Sequence, residues 1–345
     1  MEKTLKPQRP RIADVARAAG VSQTTVSHAL NGKGYVDPQT RERVKDVARE
    51  LGYRPNVRAQ RLRTGEANTI ALISSMPFEI AGGTARLGFL MEVAAVAAAA
   101  ALTRGLALVL VPPVMAGHLP LERLDIDGAI VIEPTSDDAN VAHLQERGLP
   151  VVCLGRQPGN ETVPYVDIHS SATTALLLDH LRAQGSKHIA LLIGAQPRNS
   201  YIESRATYER FCITHGMTPV IATADEAGGI DAGRDACAAM LNAHPEVDGL
   251  CALVDAFAVG AVQAIAHLGK RVPHDIKVVT RYDGPRARSC RPPLTAVDLH
   301  LDEMALQAVD LLFAHLGSEH ATLRVLPALP ELVMRESSCA DLAGA

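Results

Sequence analysis

The sequence predicts an all-α helix-turn-helix head followed by an α/β body of two doubly wound lobes, on three observations. Basic charge is concentrated at one end: residues 1–65 carry 14 Lys and Arg against 6 Asp and Glu, whereas the other 280 carry 20 against 32. Gly20, Asn31-Gly32, Asp37-Pro38 and Gly52 cut that same end into three short segments with apolar residues at helical spacing. From Asn68 onward, short apolar runs alternate with longer helical stretches, the pattern of buried parallel strands and crossover helices.

The first segment places Ile12, Val15, Ala16 and Ala19 on one helix face, and Gly20 stops it. Ser22 is a good N-cap for a second helix running to Leu30, with Val26, Ala29 and Leu30 facing inward. The tight Ala19-Gly20-Val21 connection between short helices is a helix-turn-helix signature. Asp37-Pro38 opens a third helix, whose stripe is Val44, Val47, Ala48 and Leu51. The polar side of the second helix carries Gln23, Thr24, Thr25, Ser27 and His28, which can exchange hydrogen bonds with base edges. A plain solvated helix face is the other reading of the same residues. After Tyr53, residues 54–65 offer two turns of helix capped by Asn56, with Arg54, Arg58, Arg61 and Arg63 able to meet phosphates. So short a helix is marginal alone. The segment therefore reads either as a linker or as a hinge that folds on DNA.

In the body, strands are expected near 69–74, 106–111, 128–133 and 150–154, with helices near 85–104 and 137–147. A second series has strands near 188–193, 219–223, 249–253 and 276–280, with helices near 172–184, 203–214, 231–241 and 256–268. Two further strands, near 322–326 and 331–335, are expected to end the second lobe. Ligands of such sheets bind at the carboxyl ends of the strands.

Hydrophobic residues make up 47% and aromatics 3%, without Trp, so the cores are aliphatic. The six cysteines stand far apart with no C-x-x-C, as reduced buried thiols do. The charged N-terminus lacks a following apolar stretch, so no signal peptide is expected. The most apolar stretch, 87–102, is Ala-rich and contains Glu92, which suits a packed helix and not a bilayer span. A cytoplasmic protein without a membrane partner is the expectation. There is no H-E-x-x-H, G-x-S-x-G or P-loop, so no metal, cofactor or catalytic residue is expected.

Ile12-Ala13-Asp14-Val15-Ala16, Ala19-Gly20-Val21-Ser22, Thr25-Val26-Ser27-His28-Ala29-Leu30-Asn31 and Leu51-Gly52-Tyr53-Arg54-Pro55-Asn56 together closely resemble the LacI/GalR family, the lac and gal repressor type of transcriptional regulators. The stretch 24–28 is especially similar to that of the purine repressors. The resemblance continues through Gly128-Ala129-Ile130-Val131, Pro150-Val151-Val152, His188-Ile189-Ala190, Val272-Pro273-His274-Asp275-Ile276 and Pro292-Pro293-Leu294-Thr295. It implies a helix-turn-helix head over 1–53, a hinge over 54–65 and a periplasmic-binding-protein-like effector domain over 66–345. Within that domain the first lobe spans about 66–165, the second about 166–295, and crossover and final strands 296–345. Operator DNA, a small-molecule effector and a second copy of the chain are the implied partners. The implied DNA-contacting set is Ser22, Gln23, Thr24, Thr25, Ser27, His28, Asn31, Tyr53, Asn56, Ala59 and Leu62, with Leu62 as a minor-groove wedge. The residues after 335 carry no leucine heptads, so a dimer is expected and not a coiled-coil tetramer.

For the effector, Arg205 matches the family's Arg after the first strand of the second lobe, and Asp255 its Asp after the 249–253 strand. Both suit a polyhydroxy ligand through paired, charge-assisted hydrogen bonds, or else an inter-lobe salt bridge. Ser75, Met76 and Phe78 follow the first strand and are cleft candidates, with Phe78 equally readable as core, and Asp167 is either a ligand contact or structural. Several positions depart from the family: Arg11 replaces a common Thr cap, and Val254 an Asn. Ile230 stands where some members place an aromatic, and Arg281 where Gly is usual. Arg156, Arg205 and Arg281 together would favour an anionic metabolite, unless Arg281 points outward. Two alternatives stay open: an effector-blind regulator answering to a protein partner, and a sugar-active enzyme fused to a DNA-binding head.

Overall fold

The computed structural model describes residues 10–31, 34–53, 65–81, 88–111, 120–317 and 322–339. The chain divides into two compact units, Met1–Glu66 and Ala67–Ala345. Asn56, Ala59 and Leu62 of the expected hinge lie outside the described residues.

The first unit holds three helices, α1 (Ile12–Ala19), α2 (Gln23–Asn31) and α3 (Pro38–Glu50). Arg11 offers no hydroxyl cap. Instead the Asp14 carboxylate turns back and accepts the Arg11 backbone N–H at 2.8 Å. Gly20 adopts the left-handed conformation, φ +64°, that a tight exit from α1 requires. The Val21 N–H then bonds the Ala16 carbonyl at 3.0 Å. Ser22 Oγ accepts the Thr25 N–H at 3.0 Å, and Asp37 accepts the Thr40 N–H at 3.0 Å ahead of Pro38. Val15, Val26 and Val44, one from each helix, are wholly buried at the centre, with Tyr53 packed against the cluster. Leu51, expected in the α3 stripe, is 40% exposed. It caps the helix rather than completing its last inward turn.

The second unit begins with β1 (Thr69–Ser74), α4 (Phe78–Ala81), α5 (Phe89–Thr103), β2 (Ala107–Val111), β3 (Gly128–Ile132), α6 (Ala139–Glu146), β4 (Val151–Leu154) and β5 (Tyr165–Val166). These form the first lobe. The second lobe follows with α7 (Ser170–Ala183), β6 (Ile189–Gly194), α8 (Asn199–His215), β7 (Ile221–Ala224), α9 (Gly229–Ala243), β8 (Gly249–Ala252), α10 (Asp255–His267), β9 (Lys277–Thr280) and α11 (Pro285–Ser289). The chain ends with β10 (Ala296–Asp298), α12 (Leu301–Leu316), β11 (Arg324–Val325) and β12 (Glu331–Val333). The first-lobe sheet is parallel in the order β11-β5-β4-β3-β1-β2, and the second in the order β7-β6-β8-β9. Every residue of β1, β3, β4, β6 and β8 is buried, which explains their unbroken apolar runs.

One expectation is corrected here. The final two strands do not both end the second lobe. Only β12 stays there, antiparallel to β10, whereas β11 pairs with β5 at the edge of the first-lobe sheet. The reason is α12, a helix absent from the sequence reading. Its Met304, Ala305, Ala308, Val309 and Leu312 are buried in the core, and it packs along α5, carrying the chain back to the first lobe. Asp167 then ties β11 to the first lobe by accepting Arg324 Nη2 at 2.7 Å. In the second lobe, α9 and α10 touch backbone to backbone. A Cβ on Gly260 would fall 2.2 Å from the Ile230 carbonyl oxygen, so only glycine fits. That crossing seats the first turn of α10, which carries Asp255.

Candidate functional site

Two places concentrate polar chemistry. In the head, α2 buries Val26 and Ala29 and turns its opposite side outward. Gln23 and Thr24 are exposed in its first turn, and Thr25, Ser27 and His28 are half-buried around the same helix. Ser22 is exposed, and its hydroxyl lies 2.9 Å from that of Thr25. Tyr53 is half-buried, and burial raises its phenol above the ordinary value. Asn31 is the last residue of α2. The face is therefore a short polar helix surface carried on a capped, packed scaffold.

In the body, the chemistry lies where the lobes meet. Arg198 caps α8 just after β6 and is 1% exposed. Its Nε and Nη2 bond the two oxygens of Glu226, itself 0% exposed, at 2.9 and 2.7 Å. The same guanidinium donates across to the first lobe: from Nη2 to the Ser75 carbonyl at 2.8 Å, and from Nη1 to the Glu133 carbonyl. Glu133 directly follows β3. Its carboxylate accepts Arg281 Nη1 at 2.8 Å and the Ser200 hydroxyl at 2.6 Å. The Tyr201 hydroxyl donates to Glu226 at 2.6 Å. Arg286, from α11, reaches Asp255 at 3.1 Å and the Ile80 carbonyl of the first lobe at 3.1 Å.

The titration behaviour follows from this packing. Burial opposes the charge on Arg198 and Arg281, but Glu226 and Glu133 outweigh it, so both guanidinium pKa values rise. Burial raises the Asp255 carboxyl, against the pull of Arg286. Burial and Glu226 push the Tyr201 phenol well up. A cavity of about 430 Å³ is lined by Glu92 of α5 in the first lobe and by Tyr282, Asp283, Arg288 and Leu301. Tyr282 stands edge-on to Phe89, 5.6 Å between ring centres.

The structure brings some sequence-predicted residues together and separates others. Asp255, Arg281 and the Ser75 carbonyl join the border network, and Arg281 points inward onto Glu133. Arg205 does not join it. Ser204 takes the inward position, fully buried, and one residue further around the helix Arg205 is exposed. Arg156 pairs with the exposed Glu161 at 2.9 Å and stays outside the network. The three arginines expected to favour an anion are thus not assembled at one site. Phe78 opens α4, and its side chain lies outside the described features. The residues missed by sequence reasoning are Glu133, Arg198, Glu226 and Arg286. The available signal was positional: Glu133, Arg198 and Glu226 each follow an apolar run within a few residues, at the carboxyl ends of the strands.

Among the described residues no cluster of three or more His, Cys, Asp or Glu is placed to hold a metal ion. Among them, too, no helix is long and apolar enough to cross a membrane.

Residues 11–56 match the model of the bacterial regulatory proteins, lacI family, and residues 178–338 that of the periplasmic binding protein-like domain. The chain is similar to the HTH-type transcriptional regulator CelR of Thermobifida fusca, 30% identical over 350 residues that span 96% of this chain and 98% of that one. Among solved structures it is similar to the transcriptional regulator CelR–cellobiose complex, with a TM-score of 0.70, 29% identity, and 95% and 100% of the two chains covered. It is also similar to the lac repressor dimer bound to operator and the anti-inducer ONPF, with a TM-score of 0.75, 25% identity, and 96% and 99% covered. These relatives are regulators of transcription, not enzymes.

Proposed function

The chain belongs to the LacI family of bacterial regulatory proteins, and from that premise we propose that it binds a near-palindromic operator as a homodimer, under the control of a small metabolite held between the lobes of the body. One head would serve each half-site, with the first turn of α2 in the major groove. Gln23, Thr24 and Thr25 would read base edges, and Ser22, Ser27, His28, Asn31 and Tyr53 would frame that contact. Asn56, Ala59 and Leu62 complete the reading as a hinge that meets the minor groove. A dimer on the operator excludes polymerase from the DNA it covers, so repression is the direct consequence.

The observation that carries the reading is the exposure of Gln23 and Thr24 on a helix whose opposite face closes a three-helix core. For the metabolite, the border network balances its own charges. Arg198 is paired with Glu226, Arg281 with Glu133 and Arg286 with Asp255. A neutral polyhydroxy compound suits that balance better than an anion. The CelR–cellobiose complex supports the same class by likeness.

The test is a thermal-shift survey of the full chain against neutral mono- and disaccharides and sugar acids. A neutral sugar at 100-fold its Kd adds about 2.7 kcal/mol to stability. The same compound must then change affinity for the chain's selected DNA. A response confined to sugar acids would overturn the neutral assignment, and no response to any compound would favour control by a protein partner.

A further inference from the structure

Resting on the lobe border as the regulatory site, we propose that Arg198 is a built-in ligand: its guanidinium latches the lobes together with no small molecule between them, and an effector acts by releasing it. Parallel sheets bind ligands beyond the carboxyl ends of their strands, where the winding reverses. In the first lobe that reversal lies between β1 and β3, because the chain runs from β1 to β2 on one side and then to β3 on the other. The residues just past those two strands are Ser75 and Glu133, and both turn their carbonyls onto Arg198. Arg198 itself leaves the second lobe at β6, where that lobe's winding reverses between β6 and β8. A protein cation, brought with its own buried carboxylate, thus occupies the place the fold reserves for a ligand.

The side chains of the border share this polarity, while the backbone beside Arg198 runs the other way, the Ser136 N–H donating from the first lobe to the Pro197 carbonyl at 3.2 Å. Arg198, Ser200, Arg281 and Arg286 donate from the second lobe. The Ser75 and Glu133 carbonyls, the Glu133 carboxylate and the Ile80 carbonyl accept in the first. Glu133, on which three of these donors converge, is held at φ +49°, a conformation that side-chain-bearing residues adopt at a cost when their surroundings impose it. A compound that parts the lobes must give donors to the first and acceptors to the second. Hydroxyl groups supply both. A carboxylate serves only the arginines and leaves Glu133 facing an unpaired neighbour.

The test measures the distance between the lobes in the full chain, with no sugar added. All six native cysteines are buried, so spin labels at Glu146→Cys on α6 and Glu209→Cys on α8, both exposed, report selectively. The labelled protein is diluted with unlabelled chain to silence any second copy. The latch predicts one narrow distance distribution in the otherwise native chain. It predicts a longer, broader one in Arg198→Met, and also in Arg198→Lys, which keeps a positive charge for the buried Glu226 if Arg198→Met fails to fold but loses the planar fork that reaches both carbonyls. A broad distribution in the otherwise native chain, or unchanged distances in folded Arg198→Lys, would overturn it. These distances do not depend on DNA or effector, so loss of operator binding with the latch intact would count against the regulatory reading alone.

Discussion

The head and the lobe border handle polar groups in opposite ways. On α2, Gln23 and Thr24 stand in water, and the helix under them is held by small apolar residues and backbone caps. At the border, Arg198, Glu226, Glu133 and Arg281 are withdrawn from water and paired with one another. Removing an exposed polar group costs the fold little, so the head can vary what it reads without losing its shape. Removing one member of a buried charged set strands the others, so the border ties its polar groups to the stability of the body.

That contrast can be broken in order of size. Arg198→Ala should cost about 3–5 kcal/mol of body stability in urea unfolding, because Glu226 keeps a buried charge without its partner. Replacing both by apolar residues, Arg198→Met with Glu226→Leu, should recover most of that loss. If Arg198→Ala unfolds like the native chain, the network is not what joins the lobes. Next, Gln23→Ala and Thr24→Ala should each weaken specific DNA binding by about 1–3 kcal/mol while leaving the unfolding midpoint in place. Equal weakening on scrambled duplex would reduce these residues to backbone contacts. The smallest effect belongs to Arg205→Ala. Its exposed position predicts a stability change within about 0.5 kcal/mol and an unaltered metabolite response. A lost response would return Arg205 to the cleft.

The same contrast decides what could be read in advance. Helix faces in the head follow from a 3.6-residue period that any local stretch displays, so the caps at Ser22 and Asp37 and the inward valines were legible. Strand cores β1, β3, β6 and β8 were legible for the same reason, as unbroken apolar runs. Which arginine enters the border was not. Arg198 and Arg205 sit on or beside one helix, and only the angle at which α8 leaves β6 puts the first inside and the second out. The crossing of β11 to the first lobe was hidden because a two-residue strand has no pattern of its own. The helix that makes the crossing did have one. Leu301, Met304, Ala305, Ala308 and Leu312 recur at helical spacing, a signal present in the sequence and left unused.

The polar face of α2 is expected to read a specific operator as half of a two-fold pair. The most direct measurement is selection of random duplexes on the full chain, followed by titration of the enriched site against its scrambled form at fixed salt. The account predicts a near-palindromic consensus bound by two chains per duplex. It also predicts tighter binding than to the scrambled duplex by at least ~10³-fold, with Gln23→Ala relaxing the preference in both half-sites. No enrichment, or equal affinity for the enriched and scrambled duplexes, would contradict it.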